Sequence, residues 1–125
     1  MMYAHFDGDD IGPKLELMLL DDDDDSARSY SHSISQALAW VREYMTNKGA
    51  TVVVAGGDDL VARWPSNFVT IDDIEYMRSG FFETCGRTLS VGVGSRASEA
   101  ASNLRRAKLQ GKNQIVSAVV SFNQG

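Results

Sequence analysis

Thr51-Val52-Val53-Val54-Ala55-Gly56-Gly57-Asp58-Asp59-Leu60-Val61-Ala62-Arg63-Trp64 is the stretch that decides the fold. A β-branched run, two glycines with two carboxylates, and a second apolar segment read as a strand over 51–55, a tight turn, and a returning strand over 60–64. Glycine suits such a turn because positive φ costs it nothing, and without a Cβ it lets a ligand approach the backbone closely. The turn then has an open floor beside two negative charges. A single Gly-Asp pair is common at turns for local reasons, since Asp bonds its own backbone there. Here a second acidic cluster, Phe6-Asp7-Gly8-Asp9-Asp10-Ile11-Gly12, follows a short strand over 2–6. Two acidic strand ends point to divalent metal ions held between them.

Outward from the hairpin, Ile11, Leu15, Met18 and Leu19 recur at helical spacing, so a first helix starts at Ile11 with its free amides beside the Asp7 turn, where they suit phosphate. It stops at the run from Asp21 to Asp25, whose like charges read as a solvated loop. Ser26 or Ser29 caps a long second helix that buries Ile34, Ala37, Leu38, Val41 and Met45 and ends at Lys48-Gly49. Beyond the hairpin, Pro65-Ser66-Asn67 breaks the pattern, and Thr70 with Asp73 forms a capping-box variant for a third helix with Ile71, Ile74, Phe81 and Cys85 on one face. Alternating Leu89, Val91 and Val93 mark a strand over 88–94. Ser95 or Ser98 opens a last helix with Ala97, Ala100, Ala101, Leu104 and Ala107 inward, ended by Gly111, and a strand over 114–122 closes the chain.

The first six units match a ferredoxin-like split βαβ arrangement. The expected class is therefore α+β: a βαββαβ core with an antiparallel sheet and helices, carrying an added C-terminal helix and strand, all within a single domain over 1–125. In that topology the first strand lies antiparallel beside the third, which sets Asp7 next to Asp58 and Asp59.

Composition narrows the function. The 125 residues suffice for a core without staples, and with 43% hydrophobic and 23% charged residues the chain reads as soluble and globular. Cys85 is the only cysteine, so no intramolecular disulfide forms, as in a reducing compartment. No apolar run is long enough to span a membrane, and Met1 to Phe6 is too short for the apolar core of a signal peptide, so a cytoplasmic location is expected. A net charge of −5 speaks against stable DNA or RNA binding. The charge is unevenly spread, however: from Arg87 onward the basic residues are Arg87, Arg96, Arg105, Arg106, Lys108 and Lys112, against Glu99 alone. Acidic metal ligands at one end and a basic segment at the other suit a small polyanion held with its metals. Arg105 and Arg106 read as solvated helix positions.

Several chemistries drop out. With Asp7 as the first ligand of a calcium EF-hand, the fifth position is Ile11 and the twelfth Met18, where oxygen ligands are required. There is no P-loop lysine pattern and no Cys or His pairing for zinc, since His5 and His32 lie far apart in sequence. A carboxylate-only site with hard-cation preference remains, and Mg²⁺ or Mn²⁺ bound by carboxylates plus substrate phosphates is its expected form. Two such ions can activate a hydroxyl and steady leaving pyrophosphate, which makes nucleotidyl transfer from a nucleoside triphosphate the natural reaction.

Four motifs in order and spacing carry a family resemblance: Asp7-x-Asp9, Gly56-Gly57-Asp58-Asp59, Leu89-Ser90-Val91-Gly92-Val93-Gly94, and Ala107-Lys108-x-x-Gly111-Lys112-Asn113. Together they resemble the palm domains of GGDEF diguanylate cyclases and of the polymerase subunit of type III CRISPR complexes. The short stand-alone form is most similar to the minimal CRISPR polymerase (mCpol) family. The resemblance implies that Asp7, the Gly8 carbonyl and Asp58 bind metal, with Asp59 as a further ligand or charge partner, and that Asp7, Asp58 and Asp59 are the catalytic acids. It places Gly56 and Gly57 under the nucleotide, Lys108 and Lys112 on its phosphates, and the amides of Asp10 and Ile11 at the triphosphate, with Asp9 orienting the turn. Guanine specificity does not carry over: Leu15 stands where the cyclases have a guanine-reading Asn, Asp24 at the other such offset lies in the aspartate run, and residues 47–50 lack the Arg-x-x-Asp product-inhibition motif. ATP is favoured. The implied function is synthesis of a cyclic di- or oligonucleotide signal in antiviral defence, by a homodimer or higher homo-oligomer, with a separate effector responding to the product. A catalytically silent palm that binds a nucleotide and regulates a partner is the alternative, and a structural module whose acids only make turns is a third.

Overall fold

The structure, a computed structural model, describes residues 1–117. The elements are β1 (Met2–Gly8), α1 (Ile11–Leu20), α2 (Asp24–Asn47), β2 (Thr51–Ala55), β3 (Asp59–Trp64), α3 (Ile71–Cys85), β4 (Leu89–Gly94), α4 (Ala97–Leu109) and β5 (Ile115–Ser117). They build one sheet in the order β2-β3-β1-β4-β5. β1 runs antiparallel to both β3 and β4, whereas β5 joins β4 in parallel. The parallel pair follows from its connection, because a helical crossover returns the chain in the same direction. This is the expected α+β palm. Of the strand expected over 114–122, the part beyond Ser117 lies outside the described residues.

Alternation along the strands sorts the side chains into two faces. Ala4 and Phe6 of β1, Leu60 and Ala62 of β3, and Leu89, Val91 and Val93 of β4 turn to one side, where Met45, Ile74, Met77 and Phe81 of α2 and α3 close the core over them. Burying a side chain of this size contributes about 1.5–3 kcal/mol. α4 covers the other face of β4. It can lie close only because position 92 has no side chain: a Cβ on Gly92 would stand 2.1 Å from the Ala100 carbonyl oxygen and 2.2 Å from the Leu104 nitrogen. Past α4 the same face, over β1 and β3, carries Tyr3, His5, Asp7, Asp59 and Val61, all half-buried.

Two helix starts, those of α2 and α4, differ from expectation. Asp23, and neither Ser26 nor Ser29, caps α2: its carboxylate accepts from the Ser26 amide at 3.3 Å, and Asp24 and Asp25 form the first turn. The aspartate run is therefore only partly a loop, because carboxylates are favoured at the positive end of a helix. The capping box at Thr70 and Asp73 forms as expected, but Ile71 is exposed and Met77 takes a core place on α3. Arg96 stands at the N-cap of α4 without a side-chain bond, in place of Ser95 or Ser98. Ala97 and Ala101 are exposed, and the inward polar residue is Asn103, which donates Nδ2 to the Val93 carbonyl at 2.8 Å. Arg105 and Arg106 are solvent-facing, as read from the sequence.

Candidate active site

The β1–β3 register pairs Asp7 with Asp59, and the Gly8 amide donates to the Asp58 carbonyl at 3.0 Å. The two acidic strand ends thus meet at one end of the sheet. Gly56 and Gly57 close the hairpin, with the Gly56 amide donating to the Asp59 carbonyl at 2.9 Å. Neither glycine has a positive φ, so left-handed geometry is not what the turn requires of them. At Gly56 a Cβ would lie 2.2 Å from Asp59 Oδ1, so a side chain there would displace that carboxylate. Above Gly57 there is open space, which leaves that side of the turn accessible.

Asp7 and Asp9 belong to one turn but have opposite surroundings. Asp9 is 1% exposed. Its Oδ2 accepts from Thr88 Oγ1 at 2.7 Å and the Asn113 amide at 3.0 Å, and its Oδ1 from Ser90 Oγ and Lys108 Nζ, each at 2.7 Å. Burial pushes the Asp9 carboxyl up, but these bonds outweigh it and hold the group below the usual carboxylate range. Asp7 is half-buried, and burial raises its pKa in spite of Lys108, with the charges of Asp58 and Asp59 adding to the rise. Its anion is under-compensated.

The basic residues converge on the same place. Lys108 Nζ lies 3.1 Å from the Gly8 carbonyl oxygen, 3.2 Å from Asp7 Oδ2 and 3.4 Å from the Asp7 carbonyl oxygen, besides its bond to Asp9. Lys112 pairs with Asp10 Oδ1. Arg87 donates Nε to the Asp9 carbonyl at 3.2 Å and holds Nη2 3.8 Å from Asp10 Oδ2. The loop that delivers Lys112 and Asn113 is conformationally costly: Gly111, Lys112 and Asn113 have φ of 116°, 66° and 51°, and Asp10 opposite has 56°. Non-glycine residues in the left-handed region cost on the order of 1 kcal/mol or more each, and such strain clusters at functional sites.

Sequence reasoning named Asp7, Gly8, Asp10, Ile11, Gly56–Asp59, Lys108 and Lys112, and the structure brings them to this one end of the sheet. It gave no individual site role to Arg87, Thr88, Ser90, Asn113 or His5, whose Nε2 lies 3.3 Å from Asp59 Oδ2. The alternating hydroxyls Thr88 and Ser90 in an otherwise apolar strand were the available signal, because a buried hydroxyl needs a partner. Leu15 packs against the core, and neither it nor Asp24 lines the cavity of about 210 Å³ that adjoins the hairpin. Ser35, Leu38, Ala39 and Arg42 of α2 wall that cavity, with Gly56 and Gly57 opposite.

Among the described residues, no three His, Cys, Asp or Glu side chains converge closely enough to hold a metal unaided. The donor chemistry nonetheless suits Mg²⁺ or Mn²⁺. Asp7, the Gly8 carbonyl and the hairpin acids are all hard oxygen donors, the first two already grouped around a cation, the Lys108 ammonium. Mg²⁺ ordinarily takes only one or two carboxylates, with substrate phosphates and water completing its shell.

The description "minimal CRISPR polymerase domain" (mCpol) matches residues 3–118. Among curated proteins no sequence matches. The fold is similar to that of the GGDEF domain of DgcB from Caulobacter crescentus, solved in complex with c-di-GMP, with TM-score 0.62 and 14% identity over 94% of this chain and 77% of that one. It is also similar to the Csm1–Csm4 cassette solved in complex with cA4, with TM-score 0.63 and 20% identity over 91% of this chain. In the latter case it spans only 20% of the matched chain. No helix among the described residues is long and apolar enough to cross a membrane.

Proposed function

The chain belongs to the minimal CRISPR polymerase family, and from that premise we propose that it is a metal-dependent nucleotidyltransferase that joins nucleoside triphosphates, ATP foremost, into a cyclic di- or oligonucleotide signal. The observation that carries the proposal is the pairing of Asp7 with Asp59 and of Gly8 with Asp58, which sets three acidic residues at the sheet end where Lys108 meets Asp7, while Lys112 and Arg87 meet Asp10 of the same turn.

Asp7, the Gly8 carbonyl and Asp58 would hold Mg²⁺ or Mn²⁺, with Asp59 as a further ligand. Once bound, such ions supply a Lewis acid for the attacking hydroxyl and counter-charge for the phosphates. The chain's own contribution is placement. The amides of Asp10 and Ile11 open α1 toward the triphosphate, and Lys112 and Arg87 flank that end with fixed positive charge. The open side of Gly57 admits the nucleotide, and the α2 cavity beside the hairpin accepts its base, with Arg42 and Ser35 as hydrogen-bonding groups. Because a ring needs two bonds of opposite sense, two sites facing each other across a two-fold axis are the simplest assembly. β2 is an edge strand next to the hairpin with Val53 and Val54 exposed, so the homodimer contact is assigned to that side. The product acts on a separate effector in antiviral defence.

The test is incubation of the chain with the four nucleoside triphosphates and Mg²⁺, followed by pyrophosphate assay and mass spectrometry of the products. A cyclic product from the wild type and none from Asp58→Asn is expected. The second reading is a silent palm that binds nucleotide and regulates a partner. Nucleotide binding without pyrophosphate release would select it over the first.

A further inference from the structure

We infer that Lys108 is a built-in counter-cation that occupies the donors a divalent ion needs, so that metal alone is kept out and metal and triphosphate load together. This rests on the metal reading proposed above. An ammonium has three N–H donors and no acceptor. At Lys108 all three are used, on Asp9 Oδ1 at 2.7 Å, the Gly8 carbonyl oxygen at 3.1 Å and the Asp7 carbonyl oxygen at 3.4 Å, and the ammonium is also ion-paired with Asp7 Oδ2 at 3.2 Å. Two of those oxygens, the Gly8 carbonyl and Asp7 Oδ2, belong to the candidate metal set. A divalent ion binds oxygen at about 2.0–2.1 Å and with twice the charge, so it cannot share them with an ammonium.

The bond to Asp9 decides how the conflict resolves. Asp9 is buried and fixed by Thr88, Ser90 and Asn113, and therefore does not follow Lys108. The ammonium gives up Asp7 and Gly8 but stays tethered to Asp9, with two donors freed. No carboxylate at the Asp7 turn is then left over for these donors: Asp58 and Asp59 belong to the candidate metal set with Asp7, and Asp10 is taken by Lys112 and lies beside Arg87. An incoming triphosphate supplies the missing acceptors. Metal binding without phosphate strands the ammonium beside a divalent charge, whereas joint binding satisfies both cations. Linkage makes the effect reciprocal: each ligand raises the affinity for the other by the same factor.

Mn²⁺ binding to the full chain, followed by electron paramagnetic resonance, tests this. Lys108→Met is expected to bind Mn²⁺ alone roughly tenfold more tightly than the wild type, within the usual range of coupling between sites. The enhancement of Mn²⁺ binding by a non-hydrolysable α,β-methylene analogue of ATP should shrink by a similar factor. Equal or weaker Mn²⁺ binding by a folded Lys108→Met overturns the inference. Should that variant not fold, the wild type decides through ¹⁵N resonances of its lysine ammonium groups: the Lys108 signal should hold with Mg²⁺ alone and shift when Mg²⁺ and the analogue are added together. A signal that moves with Mg²⁺ alone, or never moves, overturns it equally. Asp7→Asn separates this failure from that of the metal reading. If Mn²⁺ binding in the presence of the analogue is unaffected by Asp7→Asn, the metal reading itself falls; if it is lost while Lys108→Met gains nothing, only the Lys108 inference falls.

Discussion

The start of α3 and the end of β1 each carry a partly buried aspartate, and their surroundings act in opposite directions. Asp73 sits in the capping box, accepting from the Thr70 amide at 2.9 Å and the Tyr44 hydroxyl at 2.6 Å, with Lys48 Nζ 3.3 Å away. Burial works against its charge, but those partners prevail and hold it down to about 2. At Asp7 burial prevails over Lys108, two further carboxylates crowd the same sheet end, and the group is pushed up. An anion already satisfied by its own protein is scaffold. One left short of positive charge is a binding group, and that contrast separates the two more sharply than residue type does.

The largest effect is expected where the two kinds of environment adjoin, at Asp9. Asp9→Ala leaves Lys108, Thr88, Ser90 and the Asn113 amide without their common acceptor, and breaking a buried pair by removing one partner costs about 3–5 kcal/mol. Urea denaturation should show it, together with loss of activity. A loss under about 1 kcal/mol would mean that Asp9 behaves as a surface charge and that the division drawn here is misplaced. Asp7→Asn should act the other way on stability. A group whose folded pKa is raised contributes stability that is present at acid pH and lost as pH rises through the folded pKa, so neutralising Asp7 leaves the fold intact or slightly firmer at pH 7. Turnover should fall about 10²–10³-fold. Unchanged turnover would remove Asp7 from the catalytic set.

On the α3 side, Asp73→Ala removes the cap and the Tyr44 partner at once. A loss of about 1–2 kcal/mol is expected, with kcat in the nucleotidyl-transfer assay unchanged. A fall in kcat without a fall in stability would show that the two regions are coupled.

How far these regions were legible in the sequence differs for physical reasons. Thr70 and Asp73 lie three residues apart, and a local capping motif states its own geometry, so it was readable. The meeting of Asp7 with Asp58 and Asp59 was readable too, because strand order and antiparallel pairing follow from the βαββαβ pattern. The environment that separates Asp7 from Asp9 was not, since it is supplied from residues 88, 90, 108 and 113 by contacts that no local spacing encodes. Gly92 shows the same limit. Its place in the Gly-x-Gly strand was visible as a motif, but the cause, two backbone atoms of α4 within 2.2 Å of a would-be Cβ, exists only once α4 is docked. The aspartate run misled because like charges suggest a loop, whereas the dipole of α2 recruits Asp23, Asp24 and Asp25.

The smallest effect tests whether Asp73 is held down by its hydrogen bonds, as the comparison requires. Tyr44→Phe deletes the 2.6 Å bond while keeping the ring that packs near Trp40 and Tyr76. A bond to a charged group is worth about 1.5–3 kcal/mol, and partial exposure of this pair brings the expected cost to about 1 kcal/mol. Asp73 has a depressed folded pKa, so its contribution is present above the ordinary value of 3.8 and is lost as pH falls toward about 2. The Tyr44 hydroxyl is pushed up to about 12, first by its bond to Asp73, so its contribution is present below the ordinary 10.0 and is lost as pH rises from there through about 12. The difference in unfolding free energy between wild type and Tyr44→Phe should therefore be widest near neutrality and narrow at both extremes. If the gap is as wide in strong acid as at neutral pH, the bond does not depend on the Asp73 charge, and the contrast with Asp7 loses its electrostatic basis.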